Sequence, residues 1–345
     1  MMFSFTACGK QNNQNSDNPS AIVEERKYNY ITGEALSEGD NTQRPVAVMI
    51  DNSKFAQPQY GTSNADIIYE MVTEGGITRL MAVYDKLDDI KRVGPVRSAR
   101  DQFVQFMLPL NAIYVHIGTS IYADEMLNFY RYQNIDGLYL GVSSFDYDEE
   151  RAKTYAHEHC WFTEPQLIRQ GIEATGINTS GNLFPALNFA DYSQPAITLD
   201  KGKDATEISF QFSEYAGTTM NYDAATNKYY KSQFGSPHMD ALSNTQLCFD
   251  NFLLLNTAVV LYPDGLCTAF DMTQGGEGYY FYGGKYIPVL WQKGEPENPL
   301  VITDLKGNPI KINVGKSYIA VISDEMVDTI SMSGAVQNVT DSEQS

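Results

Sequence analysis

The chain has 345 residues, of which 43% are hydrophobic, and its formal net charge at pH 7 is −19. This length favours two domains, and the acidity disfavours general nucleic-acid binding, which depends on lysine and arginine neutralising phosphates. No stretch reaches the roughly 18 consecutive apolar residues that a transmembrane helix requires.

The N-terminal segment contains a pattern that resembles a bacterial lipobox. Cys8 lies in the string "TACG" and is followed by a polar run rich in Asn and Gln. The apolar run before it is shorter than the roughly 7–15 residues of a complete signal peptide. We predict a remnant signal peptide and lipobox over residues 1–8, with a lipidated Cys8 anchoring the protein outside the cytoplasmic membrane, and a polar tether over residues 9–42. The alternative is an ordinary cysteine in a disordered tail.

The segment from 43 to 195 alternates apolar strand patterns with helical patterns, which predicts an α/β or α+β layer domain. In its last helix, Thr163 is the predicted cap, Pro165 lies in the first turn and Gly176 ends the helix. The predicted strands are "RPVAVMIDN", "ADIIYEM", "ITRLMAVYD" and "AIYVHIG", and the predicted helices are "SARDQFVQFMLPL", "TSIYADEMLNFYRYQ" and "TEPQLIRQGIEATG".

The segment from 200 to 327 has a different character. Runs such as "FLLLNTAVVLYPDGLCTAF" and "GYYFYGGKYIPVLW" are rich in β-branched and aromatic residues and are interrupted by hairpin turns. We predict a mostly antiparallel β domain here, in the form of a small barrel or sandwich. Residues 328–345 read as a polar tail.

Four of the nine arginines fall between residues 79 and 100, which is unusual in so acidic a chain. Ser98 begins a Ser-x-x-Asp pattern just before an apolar helical run, and this pattern predicts a helix that starts at Ser98. Free amides at a helix start, flanked by Arg97 and Arg100, would form a site for phosphate or carboxylate. We therefore predict an anion-binding site at Arg79, Arg97, Ser98 and Arg100.

An internal ion-pair network is the alternative explanation for these arginines. Glu70 and Glu74 are close in sequence to Arg79, and a buried Arg–Glu network would only fix the packing of strands and helix. For Glu70 and Glu74 with Arg79 the network is favoured. For Arg97 and Arg100, which lie beside a Gly-Pro loop, the sequence favours a ligand site.

His116 lies in a predicted strand that is followed by a second strand-to-helix turn at Thr119. Because ligands collect at the carboxyl ends of strands in open α/β sheets, His116 and Thr119 are further candidates for ligand binding. A satisfied core histidine is the alternative. The common hydrolase, kinase and P-loop motifs are missing from the sequence, so Glu70, Glu74 and His116 are the catalytic candidates if the protein is an enzyme.

Metal and cofactor binding have little support in the sequence. His157 and His159 could share a metal only if both faced one way, and no third ligand is apparent, so we predict neither a metal site nor a cofactor. His238 and Asp240 read as part of a turn. Cysteines 160, 248 and 267 have no metal spacing; a 248–267 disulfide is one option, but buried free thiols are favoured.

Several uncommon strings in register resemble the YerB-like family of bacterial lipoproteins, a family of unknown function. They are "RPVAVMIDN", "RVGPVRSARDQF", "AIYVHIGTS", "YDAATNKYYKSQFGSPHMD" and "GGEGYYFYGGKYIPVLW", and the resemblance covers roughly residues 44 to 322. The family usually has Pro-His-Asn-Leu-Tyr where this chain has "EHCWF", so His159 corresponds and Cys160 replaces the asparagine. The resemblance implies a tethered protein outside the membrane of a Gram-positive-type bacterium, with no established reaction.

Three hypotheses about function follow. The first is an envelope lipoprotein that binds an anionic glycan, peptide or lipid-linked ligand, such as a phosphorylated lipid carrier. The second is an envelope hydrolase or transferase that uses Glu70 or Glu74 with His116. The third is an adaptor whose β domain recruits another envelope protein. For the first, we expect Arg97→Ala with Arg100→Ala to abolish ligand binding and change the melting temperature little.

Overall fold

The computed structural model describes residues 26–36 and 42–335. We call residues 26–195 the first half and residues 200–335 the second half. The described residues contain four α-helices, all in the first half. The longest of them shows the predicted terminal signals, with Pro165 at its first position and Gly176 in the left-handed conformation (φ 69°) just after its end. The helices are α1 (Asp101–Met107), α2 (Ile121–Phe129), α3 (Gly137–Leu140) and α4 (Pro165–Thr175).

The strands of the first half begin with three that are buried along their whole length. A continuous apolar run is expected where a strand is covered on both faces, and these three lie in the interior of the large sheet. The strands are β1 (Val46–Asp51), β2 (Ile67–Val72), β3 (Thr78–Tyr84), β4 (Ile113–His116), β5 (Asn134–Asp136), β6 (Asp146–Tyr147) and β7 (Trp161–Phe162).

The second half is built from strands, most of them antiparallel to a neighbour. They are β8 (Lys203–Asp204), β9 (Glu207–Gln211), β10 (Gly217–Asp223), β11 (Lys228–Gln233), β12 (Ser236–Pro237), β13 (Met239–Asp240), β14 (Thr245–Gln246), β15 (Cys248–Phe249), β16 (Asn251–Thr257), β17 (Val259–Leu261), β18 (Thr268–Phe270), β19 (Gly276–Tyr282), β20 (Lys285–Gln292), β21 (Val301–Thr303), β22 (Ser317–Ser323) and β23 (Ser331–Ser333).

One 11-stranded sheet contains strands from both halves. Its order is β21-β20-β19-β16-β22-β2-β3-β1-β4-β5, and β8 pairs with β20. The halves join where β22 runs parallel to β2, with Ile67 opposite Ser317 and Met71 opposite Val321. The predicted fold class, α/β followed by mostly antiparallel β, is confirmed, but the predicted division near 195–200 does not separate two sheets.

A second sheet, of order β12-β11-β10-β9-β23 with β15 beside β11, packs on one face of the large sheet. The rings of Phe210 and Phe252 lie 5.8 Å apart across this contact. Helix α1 covers the opposite face, where Phe106 lies 4.9 Å from Tyr69. We call these two faces of the large sheet the sheet-covered face and the helix-covered face.

Several local predictions need correction. Glu164, not Thr163, is the N-cap of α4, because the Thr163 hydroxyl donates to the carbonyl of Ser144 instead. The end of the predicted tether packs on the first half, since Ile31 is buried and Arg26 forms a buried ion pair with Asp85.

The segment predicted to be a polar tail also contributes to the fold. Strand β23 lies within it and pairs with β9, with Met332 opposite Ile208. An edge strand of the smaller sheet therefore comes from the segment that we predict to be a polar tail.

Candidate functional site

The arginines gather where β1 and β3 approach the start of α1. Asp51, the last residue of β1, pairs in register with Arg79 of β3, so both side chains project from the helix-covered face. The segment that carries Arg97 and Arg100 is fixed beside them, because the Arg97 amide donates to the carbonyl of Met49 at 3.0 Å. We call Asp51, Glu74, Arg79, Arg97, Arg100 and His159 the arginine cluster.

Glu74 neutralises two of the three arginines. Its carboxylate accepts from Arg79 Nη2 at 2.8 Å and from Arg100 Nε at 2.9 Å, and it also contacts Arg100 Nη2. Arg79 is buried, and burial together with the charge of Arg100 lowers its pKa to about 10, so it stays charged at neutral pH. Arg79 and Arg100, predicted as ligand contacts, are therefore bound to an internal acid. The predicted pairing of Arg79 with a glutamate holds for Glu74.

The predicted helix start is wrong. Helix α1 begins at Asp101 with Arg100 as its N-cap, and no side chain caps it. Ser98 lies before the N-cap, and its carbonyl accepts from Arg79 Nη1 at 2.6 Å. The Asp101 carboxylate accepts from the hydroxyl of Tyr262 at 2.8 Å instead of closing a capping box. Ser98 thus helps to hold Arg79.

His116 is a buried core histidine. Its Nδ1 lies 2.9 Å from the carbonyl oxygen of Gly118 and its Nε2 lies 3.1 Å from Asn134 Oδ1. Burial lowers the pKa of His116, although Asp136 opposes this shift. Thr119 is half-buried and bridges to Ala99 through the backbone. His116 is therefore not available as a ligand contact, and the contact at Thr119 stays a prediction.

Glu70 is not brought to His116. It projects from the sheet-covered face of β2, whereas His116 projects from the helix-covered face of β4, and strands β3 and β1 lie between. At about 4.8 Å per strand the two strands are roughly 14 Å apart. The predicted catalytic pair of Glu70 and His116 is therefore contradicted by the structure, and Glu74 is committed to arginines.

Glu70 belongs instead to a buried polar network between the halves. Its Oε2 lies 3.1 Å from Lys231 Nζ and accepts from the Tyr318 hydroxyl at 2.7 Å, and its Oε1 accepts from Asn52 Nδ2 at 2.8 Å. Burial lowers the pKa of Lys231. Since every group in this network is buried and bonded, it fastens β11 to β2.

The predicted turn at His238 and Asp240 is buried as well. His238 Nε2 lies 3.0 Å from Gln59 Oε1, and the Asp240 carboxylate accepts from the amides of Gly61 and Ser63. Both residues therefore fasten the second half to the loop after β1.

Arg97 differs from the other arginines of the cluster. Its Nε lies 3.1 Å from Asp51 Oδ2, and 26% of its side chain is exposed. Because Nε forms no hydrogen bond among the described residues, its contact with Asp51 is an ion pair only. The two terminal nitrogens form neither a hydrogen bond nor an ion pair with any residue in the described part of the chain. A guanidinium edge with two donors therefore faces solvent.

His159 is the second partner of Asp51. Its Nδ1 lies 2.9 Å from Asp51 Oδ2, so its Nε2, on the far side of the ring, points away from the carboxylate. Burial would raise the pKa of Asp51, but the hydrogen bond from His159 and the charge of Arg97 lower it. Sequence reasoning missed this pair because Asp51 reads as a turn residue and lies 108 positions from His159.

The histidine and cysteine residues that the sequence offered as metal ligands or disulfide partners do not form such sites in the described residues. The His157 ring lies 4.9 Å from the ring of Tyr147 and 5.6 Å from that of Trp161. Within residues 26–36 and 42–335, no group of three His, Cys, Asp or Glu residues could hold a metal ion. The three cysteines at 160, 248 and 267 are free thiols, so the optional 248–267 disulfide does not form. The predicted lipidation site, Cys8, lies outside the described residues.

Two models of one protein family match this chain, and each covers a different segment. Residues 31–178 match the "Protein of unknown function (DUF3048) N-terminal domain" and residues 207–319 match its C-terminal domain. A relative in Bacillus subtilis (strain 168), named "Putative lipoprotein YerB", is 28% identical over 299 residues, which is 85% of this chain and 86% of the relative. The crystal structure of the YerB protein from Bacillus subtilis matches with a TM-score of 0.77 and 25% identity, and the match covers 90% of this chain and 100% of the other.

We also asked whether any helix in the described part of the chain could span a membrane. None of those between residues 26 and 335 combines the length and apolar character needed to cross a bilayer.

Proposed function

The chain belongs to the DUF3048 family of proteins of unknown function, and we propose that it is a cell-envelope lipoprotein that binds an anionic ligand at Arg97. Two observations support the lipoprotein part. The Bacillus subtilis relative carries that word in its name, and Cys8 lies in a string that resembles a lipobox. A lipid on Cys8 would hold the folded part outside the membrane.

The free terminal edge of Arg97 is the observation that carries the ligand part. A guanidinium presents two parallel N–H donors, a geometry that fits the oxygens of phosphate and carboxylate. Asp51 forms an ion pair with Arg97 at Nε only and leaves its terminal donors without a protein partner among the described residues. Arg79 and Arg100 contribute positive charge nearby but are held by Glu74.

His159 is placed to make a second contact. Because Asp51 binds its Nδ1, the ring is fixed and its Nε2 faces away from the protein carboxylate. Arg97 and His159 both contact Oδ2 of Asp51, and the proposal is that one ligand is bound by both. The ligand class is an envelope molecule with a phosphate or carboxylate group, either lipid-linked or part of a glycan or peptide.

We expect Arg97→Gln to weaken ligand binding at least about tenfold, because a charge-assisted hydrogen bond contributes about 1.5–3 kcal/mol. The melting temperature should change little, since the side chain is partly exposed. Isothermal titration of the full chain with undecaprenyl phosphate in detergent, and separately with a muropeptide, measures this and distinguishes a lipid-linked phosphate from a glycan or peptide carboxylate.

Arg92→Gln is the matched control for this titration. The Arg92 side chain is 29% exposed and also pairs with acids, Asp146 and Asp148, but it lies outside the arginine cluster. A loss of ligand affinity in Arg97→Gln that is absent from Arg92→Gln supports the proposal. Failure of the wild-type chain to bind either probe, or equal loss in both variants, contradicts it.

A further inference from the structure

A cleft of about 450 Å³ opens between the first half and the smaller sheet. One wall comes from the loop after β1, the second from the turn between β2 and β3, and the third from the hairpins of β9–β10 and β11–β12. The lining residues include Ser53, Lys54, Phe55, Ile77, Tyr215 and Phe234. This size, the junction of two chain segments and the mostly apolar lining are typical of small-molecule sites.

Aromatic rings at the rim of the cleft are exposed although their backbone is fixed. Phe55 is 77% exposed and Tyr215 is 71% exposed. The hairpin that carries Tyr215 is tied to the β2–β3 turn, because the Ser213 hydroxyl donates to the carbonyl of Gly76. Phe234 has a φ of 55°, in the left-handed region that bulky residues rarely adopt. Backbone strain of this kind is common at ligand sites.

The cleft also contains polar groups that have no protein partner. Ser53 is buried, and its hydroxyl has no hydrogen-bond partner among the described residues. A buried hydroxyl without a partner is costly unless a ligand or water satisfies it. Lys54 is exposed beside it, and it forms no ion pair with a residue in the described ranges. The lining therefore combines apolar rings with a hydroxyl and a cation.

Asp51 connects the proposed anion site to the wall of the cleft, although it does not line the cleft itself. Asp51 Oδ1 accepts from the Ser53 amide at 2.9 Å, while Asp51 Oδ2 contacts Arg97. Ser53 and Arg97 thus lie against the two oxygens of a single carboxylate. One ligand that extends past the end of β1 would therefore be needed to contact both Arg97 and the cleft.

We infer that the cleft binds the sugar ring of an anionic saccharide whose charged group lies at Arg97. The aromatic rings of Phe55 and Tyr215 would stack on the apolar face of the sugar, and Ser53 would bind a ring hydroxyl. The positive charge of Lys54 favours an acidic sugar. A neutral acyl chain is disfavoured, because it has no polar group to bind the Ser53 hydroxyl. This inference rests on the proposed anion site and specifies its ligand class.

The test compares three probes on the full chain: inorganic phosphate, N-acetylglucosamine 1-phosphate and the neutral disaccharide N,N′-diacetylchitobiose. Wild type should bind the sugar phosphate about tenfold more tightly than inorganic phosphate. Phe55→Ala with Tyr215→Ala should remove that advantage and leave phosphate binding unchanged. Because both rings are exposed, the melting temperature should not change.

The matched control is Phe129→Ala with Tyr139→Ala, since these rings are 79% and 86% exposed but lie on α2 and α3. The control variant should keep the full advantage of the sugar phosphate. Equal affinity of wild type for phosphate and sugar phosphate overturns the cleft inference and leaves the Arg97 site standing. Chitobiose binding that depends on Phe55 and Tyr215, without any phosphate binding, overturns the Arg97 site and leaves the cleft.

Discussion

Glu74, in the turn between β2 and β3, holds two guanidinium groups with one carboxylate. Burial of this carboxyl raises its pKa, but hydrogen bonds from Arg100 and the charges of Arg79 and Arg100 outweigh that and lower the pKa to about 2. The ordinary value is 4.5. Because the folded-state pKa is depressed, ionised Glu74 contributes stability above about pH 4.5 and loses it as the pH falls towards 2.

We expect Glu74→Gln to lower the free energy of unfolding by about 2 kcal/mol at pH 7, because Arg79 is left buried without a carboxylate. The difference from wild type should shrink as the pH falls below 4.5. Urea unfolding at pH 7 and pH 3.5 measures both effects.

Glu150→Gln is the control for this prediction, since Glu150 pairs with Lys153 on the surface. It should be nearly neutral at both pH values, as exposed ion pairs usually are. A Glu74→Gln protein as stable as wild type at pH 7 would show that the arginines do not depend on Glu74, and they would then be open to a ligand.

Strands β2 and β11 are fastened across the two sheets by the buried pair of Glu70 and Lys231. The two side chains are fully buried and lie 3.1 Å apart. Removing one partner of such a pair leaves an uncompensated charge in the interior, whereas removing both charges leaves none.

We expect Lys231→Met to cost about 3–5 kcal/mol of stability, because the Glu70 carboxylate loses its cation. Adding Glu70→Gln should recover part of this loss, since no charge is then left buried. The amide oxygen can take the place of Oε1 and accept from Asn52, while the amide NH2 takes the place of Oε2 and donates to the Tyr318 hydroxyl oxygen. Urea denaturation of the single and double variants gives the two free energies. A double variant no more stable than Lys231→Met contradicts a charge-based role.

The elements themselves were largely predictable from the sequence. Strands β1 to β4 and helices α1, α2 and α4 follow from apolar runs, helical spacing and the Pro165 and Gly176 signals. The N-cap of α1 was not predictable, because the carbonyl of Ser98 is taken by Arg79, which reaches it from another strand. The role of Glu70 was equally hidden, since its partner Lys231 lies in the second half.

At the scale of the whole molecule, β22 makes the two halves one sheet. It lies between β16 and β2 and is parallel to both. Periodicity predicts strands but not which distant strand lies beside which, so the shared sheet could not be read from the sequence. The same limit applies to the cleft, whose walls come from segments around Phe55, Ile77 and Tyr215.

This arrangement puts the proposed ligand site at the junction of the halves. The end of β1 supplies Asp51, which orients Arg97 and His159, and the next residues of the chain line the cleft. The loop after β1 is also bonded to the second half, since Asn52 Nδ2 lies 3.0 Å from Gln233 Oε1. The site is therefore preorganised by contacts from both halves.

A crystal structure of the full chain soaked with N-acetylglucosamine 1-phosphate tests the central claim most directly. The account predicts phosphate oxygens about 2.9 Å from the terminal nitrogens of Arg97, with Arg79 and Arg100 still bonded to Glu74. Phosphate bound elsewhere, or an Arg97 whose terminal nitrogens are bonded to a protein carboxylate, would contradict it.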